Sequence, residues 1–484
     1  LLNSGPLSTG FLAGSFFSSA AAFPERNALH VEGRYYTYAE LNTMVSAIVR
    51  KFNPGGIPSR IGIYGGHNVY TYASMIAVNA LGAAYVPLNP KFPAARIAEV
   101  IMAADLHCVI CTEADLPVVI QSDLVLVNPR NADIVPALNE KGNDETLAYI
   151  LFTSGSSGVP KGVPVSEKNV KAFFSWFRDN YDFTENDRFL QVYELSFDVS
   201  VFSFFMPLSC GACCYVLPDE GIRPLKIIEA VQKSSITVLS MVPSVLGFLS
   251  KYLKQISLPS LRYSFFSGDA LMHDLAESWQ NCLPNGRIHN FYGPTETTIV
   301  CTRHIFNASV KAADIVPLGK PFDGMSYHIM KTGEGQEGRG ELCLSGAQVI
   351  SRYLDNKYAD RFFVREGKTY YRTGDLVSVN ENGELLFHGR VDNQVKINGY
   401  RVELEELEAA SSRVSNSRCM ASFDKQKQAL ELYVESTIKD ATLLQKLSLV
   451  LPAYMLPQRI IYVDALPFTL NGKPDRKALL NMYI

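Results

Sequence analysis

The chain has 484 residues, 47% hydrophobic and 19% charged, and its 45 basic residues against 48 acidic ones leave a net charge of −3. These proportions fit a packed protein with room for about three domains and set aside disorder. No basic excess suits nucleic acid or an anionic membrane, and no apolar run reaches the ~18 residues of a membrane span, so the reading is a cytoplasmic protein that is not integral to a membrane.

The opening stretch LLNSGPLSTGFLAGSFFSSAAAF has the small and apolar residues of a secretory leader, but its first positive charge is Arg26. Without a basic segment ahead of it, it reads as an amphipathic first helix. From 60 to 115, strand-like runs (RIGIYG, AAYVPL, HCVICT) alternate with helical ones (VYTYASMIAVNALG, PAARIAEVIMAA), the rhythm of a parallel sheet with covering helices. Cys108 and Cys111, and Cys210 and Cys213, each make a C-x-x-C spacing. Residues three apart on a strand face opposite sides and cannot share a metal, so these are read as core thiols of a reduced compartment.

Residues 151–166 read LFTSGSSGVPKGVPVS. A Gly-rich turn frees backbone N–H groups to converge on an anion, the hydroxyls of Thr153, Ser154, Ser156 and Ser157 add donors, and Lys161 adds a cation. The P-loop pattern fails, since Gly162 follows the lysine where Ser or Thr is required. A solvated Gly/Ser linker is the alternative for this stretch alone.

The α/β rhythm returns between 187 and 300 (DRFLQVY, GACCYVL, ITVLSMV, LRYSFFSG, RIHNFYG), predicting a second α/β layer. From about 310 to 390, short β runs with Gly-rich turns predict a small β-barrel-like or curled subdomain. After Asp392 the chain becomes helix-rich and charged, predicting a small α+β domain. The division is therefore 1–391, a large N-terminal part of two α/β subdomains and the β subdomain, and 392–484.

Taken in order, TSGSSGVPKG, SFDVS, NFYGPTETT, GELCLSG, YRTGDL, GRVDNQVKINGYRVELEELE, LPAYMLP and NGKPDR resemble the motif series of the adenylate-forming superfamily, which includes acyl-CoA synthetases, luciferases and amino-acid adenylation domains. The resemblance spans nearly the whole chain. It implies ATP and Mg²⁺, with the β and γ phosphates held by Thr153, Ser154, Gly155, Ser156, Ser157, Gly158 and Lys161. The adenine and ribose would meet Gly268, Asp269, Ala270, Asn290, Phe291, Tyr292, Gly293, Pro294, Thr295, Asp375, Phe387 and Arg390, with Glu296 as the metal ligand. Lys473 resembles the catalytic lysine that reaches both the carboxylate and the α-phosphate. Asp392 would be the hinge on which the mobile C-terminal domain turns, withdrawing Lys473 and presenting Gly399 to a pantetheine arm.

Asp198 resembles the aspartate that pairs with the α-ammonium of an amino acid; its alternative is a helix N-cap for the segment that follows. The side-chain pocket carried over from the family falls on Val199, Phe202, Ser240, Phe265, Ser267, Phe291, Ile299 and Val300, whose three phenylalanines imply a small substrate. Locally, KINGYRVELEELE and RIIYVDALPFTLNGKPDRK are most similar to D-alanine:D-alanyl carrier protein ligases, although Asn398 stands where synthetases often carry arginine. The expectation is ATP-dependent activation of a small amino acid, D-alanine first, and its transfer to the phosphopantetheine of a carrier that is a separate protein or lies beyond these residues. The alternatives are an adenylation domain of a nonribosomal peptide synthetase, a carboxylate-CoA ligase and an idle nucleotide-binding module.

Overall fold

In the computed structural model, which describes residues 10–53, 56–113, 116–117, 124–131, 146–155, 160–309, 314–331, 338–397, 399–424, 427–467 and 475–483, the first α/β rhythm forms a six-stranded sheet. Its order is Val125–Val127, Cys108–Cys111, Arg60–Tyr64, Ala84–Leu88, Leu147–Thr153, Lys161–Ser166. The strands run parallel except the last, which returns antiparallel along Leu147–Thr153 and so sets both ends of the glycine-rich turn.

The second rhythm forms a nine-stranded sheet in the order Lys320–Pro321, Thr302–Ile305, Arg287–Tyr292, Tyr263–Phe266, Val238–Met241, Arg188–Gln191, Cys213–Val216, Asn27–Val31, Arg34–Thr37. Six central strands are parallel and the outer ones antiparallel. The two N-terminal strands thus join the later sheet, beside Cys213–Val216. Thr37 ends the second of them and caps the helix Tyr38–Val49, accepting from Glu40 N–H while the Glu40 carboxylate accepts from the Thr37 N–H.

The helices Val69–Ala80 and Val199–Leu208 are buried on nearly every face, which is what a helix between two sheets must be. They share one core with Ile61 and Ile63 of the smaller sheet and Phe189 and Phe265 of the larger. Phe11–Ala22 buries Leu12, Ala13, Phe16, Ser19 and Ala20, one stripe at helical spacing, but its other face is small or apolar and carries no charge, so the helix is one-sided in burial and not the amphipathic helix expected. Ala94–Ala103 covers the outer face of the six-stranded sheet; Arg223–Ser234, Ser244–Leu249 and His273–Gln280 cover that of the nine-stranded one.

The small β subdomain is an open five-stranded sheet and not a closed barrel: the twelve-residue strand Lys368–Val379 pairs with Gly340–Gly346, Phe362–Arg365 and Leu385–Arg390, and Met325–Met330 lies beyond. Beyond it come the hairpin Gln394–Ile397 and Tyr400–Glu403, the helix Leu404–Ser415 and a three-stranded sheet, with a core of their own built on Val402, Leu407, Leu430, Leu432 and Leu447. The nine cysteines form no disulfide, and Cys108, Cys213 and Cys214 are core residues. Among the described residues no helix is long and apolar enough to cross a membrane.

Candidate active site

The parallel strands of the larger sheet open, at their C-terminal ends, onto one cavity. Arg188–Gln191 runs into Tyr193 and Asp198, Val238–Met241 into Val242, Tyr263–Phe266 into Ser267 and Gly268, and Arg287–Tyr292 into Gly293, Pro294 and Thr295. Arg188–Gln191 lies between Cys213–Val216 on one side and Val238–Met241 on the other, so the strand order reverses there; a crevice at such a point is where open α/β sheets bind ligands. Four further parts close the cavity: Phe92, Arg96, Thr153 and Ser154 from the part built on the smaller sheet, Thr373, Asp375 and Arg390 from the β subdomain, Gln394, Lys396, Gly399 and Arg401 from the hairpin, and Tyr454 from the residues that follow it.

Asp375 is held on both oxygens, accepting from the Tyr292 hydroxyl at 2.6 Å and from Arg390 Nη1 at 2.5 Å. Arg390 in turn donates to both carboxylate oxygens of Asp392, at 2.7 and 2.8 Å. Asp269 turns back to accept from the Ala270 N–H at 2.7 Å. Over this group stands Lys396, its ammonium 6.0 Å from the centre of the Tyr292 ring. Burial pulls its pKa below the ordinary lysine value, while Asp375 and Asp269 favour its charge.

On the phosphate side, groups suited to anions meet carboxylates of the C-terminal residues. Lys161 is buried and donates to Glu403 at 3.1 Å, and the Gly155 N–H donates to Glu406 at 3.0 Å. The Ser154 hydroxyl donates to the Arg401 carbonyl at 2.8 Å. Glu296 is fully buried and accepts from the Tyr353 hydroxyl at 2.6 Å and from Arg401 at 2.9 and 3.1 Å. Burial opposes its charge, but Arg401 and Lys161 outweigh this and hold its pKa at about 2. An oxygen donor that is anionic at every working pH fits a hard divalent cation completed by phosphate oxygens, and here the Arg401 guanidinium supplies the compensating charge.

Asp198 sits at the start of Val199–Leu208 but makes no side-chain cap bond to it. Burial raises its pKa to about 6, the negative Glu296 adds to the rise, and the Thr295 hydroxyl and Val199 N–H work against it. No cation among the described residues pairs with it.

Of the side-chain pocket, Val199, Ser267 and Ile299 border the open cavity. Phe202, Phe265 and Phe291 instead fill the space behind, with ring centres 5.9 Å apart for Phe202–Phe265 and 5.2 Å for Phe265–Phe291. Ser240 lies beneath Tyr193, their hydroxyls 3.4 Å apart, and Val300 is core. Thr298 and Ile299 both hold left-handed backbone, at φ +58° and +71°, an unfavourable state for β-branched residues. Gln348 braces them: its side chain donates to the Val300 carbonyl at 2.9 Å, and its carbonyl accepts from the Thr298 hydroxyl at 2.6 Å.

Of the expected nucleotide contacts among the described residues, Gly155, Lys161, Asp269, Ala270, Asn290, Phe291 and Phe387 do not line the cavity. Asn290 turns its amide to the Pro317 carbonyl, 2.9 Å away, and so supplies a donor to the backbone that leads into Lys320–Pro321. Phe387 packs into the small core of Leu342, Leu344 and Val377. Ser156, Ser157, Gly158 and Lys473 lie outside the described residues. Sequence reasoning missed Tyr193, Lys396, Arg401 and Gln348; Lys396 and Arg401 stand inside the QVKINGYRVELEELE motif, where their basic character was the available signal.

Residues 16–354 match the family of AMP-binding enzymes. The D-alanine–D-alanyl carrier protein ligase of Lacticaseibacillus rhamnosus is 32% identical, over 95% of this chain and 97% of that protein. Tyrocidine synthase 1 of Brevibacillus parabrevis is 31% identical over 96% of this chain, which spans only 44% of that synthase. Among solved structures, the Vibrio cholerae adenylation domain AlmE in complex with glycyl-adenosine-5′-phosphate superposes with a TM-score of 0.82 at 29% identity, covering 100% of this chain and 99% of that one. The motif order, the crevice at the reversal of strand order and these matches agree: the chain belongs to the AMP-binding enzyme family.

Proposed function

We propose that the protein couples ATP to the activation of a small amino acid and passes the aminoacyl group to the phosphopantetheine thiol of a carrier protein. In the first half-reaction a carboxylate oxygen attacks the α-phosphorus and pyrophosphate leaves, giving aminoacyl-AMP. In the second the thiol sulfur attacks the acyl carbon and AMP leaves. Both are chiefly problems of positioning and of neutralising charge.

Asp198 carries this reading. A buried carboxylate lining the crevice, with which no cation among the described residues pairs, suits an ammonium group, and an acid lacking an amine has no use for it. Phe202, Phe265 and Phe291 behind it leave little room for a side chain, which supports D-alanine, with glycine next. The ligase of L. rhamnosus and the glycyl adenylate bound by AlmE point the same way. Asp375 suits two ribose hydroxyls, and Tyr292 the adenine face. Glu296 would hold Mg²⁺, whose bound form neutralises phosphate charge.

The division into residues 1–391 and 392–484, turning at Asp392, gives each half-reaction its own arrangement. With Arg401 on Glu296, Glu403 on Lys161 and Glu406 on Gly155, the hairpin and the helix Leu404–Ser415 that follows it take the groups that a triphosphate and its metal would need. This arrangement suits transfer; the other would bring Lys473 inward for adenylation. Dependence on ATP and on a carrier substrate would support a cytoplasmic location.

Amino-acid-dependent exchange of labelled pyrophosphate into ATP, over D- and L-amino acids, is the test. Stimulation by D-alanine or glycine is the expected result; stimulation only by an acid without an amine, with AMP released on adding coenzyme A, would overturn it. Phe291→Ala should widen the preference toward larger side chains in the same assay. It should also cost about 3–5 kcal/mol of stability, because a buried ring is lost from the aromatic cluster, and thermal unfolding reads that cost.

A further inference from the structure

Four aromatic rings stand in a row across the junction of the large N-terminal part and the C-terminal residues. Phe92 meets Tyr454 edge-on at 6.3 Å, Tyr454 stacks on Tyr400 at 4.2 Å and 20°, and Tyr400 meets Phe197 edge-on at 4.7 Å. The outer rings belong to the large part: Phe92 follows the strand Ala84–Leu88, and Phe197 precedes Asp198. The inner pair comes from the C-terminal residues: Tyr400 opens the second strand of the hairpin, and Tyr454 lies in the turn Ala453–Met455, bracketed by Pro452 and Pro457. Beside the row, Arg96 and Glu406 form an ion pair of 2.7 Å with side chains only 5% and 1% exposed.

The row ends where the chemistry would be. Gly399, next to Tyr400, has φ +84°, and a Cβ there would come within 2.4 Å of Val242. Gly399 and Tyr400 also line a second channel, walled by Val242, Val245 and Phe248, which meets the main cavity at Val242 and Gly399. The position of the Tyr400 ring therefore sets the width of that channel.

We propose that Tyr454 is a positioning residue for the transfer half-reaction: clamped against Phe92, it holds Tyr400 against Phe197 and keeps the channel beside Gly399 open to an incoming thiol. The proposal rests on the two half-reactions above. Rings of the two parts interleave in this orientation, so the stack stabilises it, and removing a ring shifts the population away from it. Adenylation, which uses the other orientation, does not need the stack.

The test uses the full chain, with free pantetheine as acceptor and aminoacyl-AMP preformed from ATP and amino acid in the presence of pyrophosphatase. Tyr454→Ala and Phe92→Ala should each slow aminoacyl-pantetheine formation roughly tenfold, with pyrophosphate exchange falling much less, although both rings border the main cavity. The double variant should lose no more than Tyr454→Ala alone, since Phe92 acts through that ring. Tyr454→Phe should keep the rate, because the ring and not the hydroxyl makes the contact. Unchanged transfer in Tyr454→Ala, or an equal fall in both half-reactions, overturns the clamp while leaving the proposed function standing. No exchange in the unaltered protein with any amino acid would remove the proposed function and the clamp with it.

Discussion

Lys473→Ala should lower amino-acid-dependent pyrophosphate exchange by two or more orders of magnitude, about 3 kcal/mol of transition-state stabilisation. Transfer from preformed aminoacyl-AMP to a thiol should stay within a few-fold of the unaltered rate. The physical reason is charge. In adenylation the α-phosphate gains negative charge from the attacking carboxylate as pyrophosphate departs, and one ammonium reaching both oxygens, the role proposed for Lys473, would offset it at the moment it develops. In transfer the charge develops on the acyl oxygen as the thiol sulfur bonds to the carbon, and it leaves on the phosphate of AMP.

The separation of effects follows from how the hairpin meets the cavity. Arg401 neutralises Glu296, while Glu403 and Glu406 satisfy Lys161 and the Gly155 N–H. These contacts complement the cradle charge for charge, and they compete directly with a metal–triphosphate. A protein making both the adenylate and the thioester in one crevice thus alternates between occupants of the same groups, and Lys396 enters the cavity in the arrangement described here. Single-turnover measurement of each half-reaction checks the prediction; equal damage to both would count against the alternation.

Local features were legible in the sequence wherever a short run of residues carries its own reason. The alternating strands and helices of 60–115 and 187–300 became the two sheets, and the doubly buried helix Val69–Ala80 was visible as an apolar segment too short for a membrane. The pairing of Asn27–Val31 with Cys213–Val216 was not visible, since nothing local ties strands about 185 residues apart in sequence; only the packing of both sheets on shared helices decides it. The same limit hid the partners of Glu296. Its position in PTETT was readable, but Arg401 and Tyr353 reach it through the fold and through one orientation of the C-terminal residues. Asn290 and Phe387 show the reverse: a motif position was carried over, while the backbone's own need for a donor and a small core's need for a ring determined where those side chains point.

Asp198→Asn should weaken amino-acid binding and, in the ligand-free protein, raise stability at neutral pH. Removing one partner of a buried charge pair costs about 3 kcal/mol, so the amino-acid KM in pyrophosphate exchange should rise on the order of a hundredfold while that for ATP stays put. Stability runs the other way because burial lifts the Asp198 pKa to about 6, against about 3.9 in an unfolded chain. Below pH 4 the carboxyl is protonated in both states and there is no penalty. Between pH 4 and 6 the unfolded chain ionises first, and by pH 7 the folded protein has lost roughly 3 kcal/mol. Asparagine does not titrate and escapes that loss. Thermal unfolding at pH 4 and pH 7.5 without ligand should therefore show the variant gaining on the unaltered protein as pH rises, and saturating D-alanine or glycine should close the gap by supplying the missing ammonium. Parallel pH profiles for the two proteins, or an unchanged amino-acid KM, would remove Asp198 from the site. A destabilised carboxylate of this kind would itself be the means of recognition: it gains most from a cation, and no cation among the described residues pairs with it.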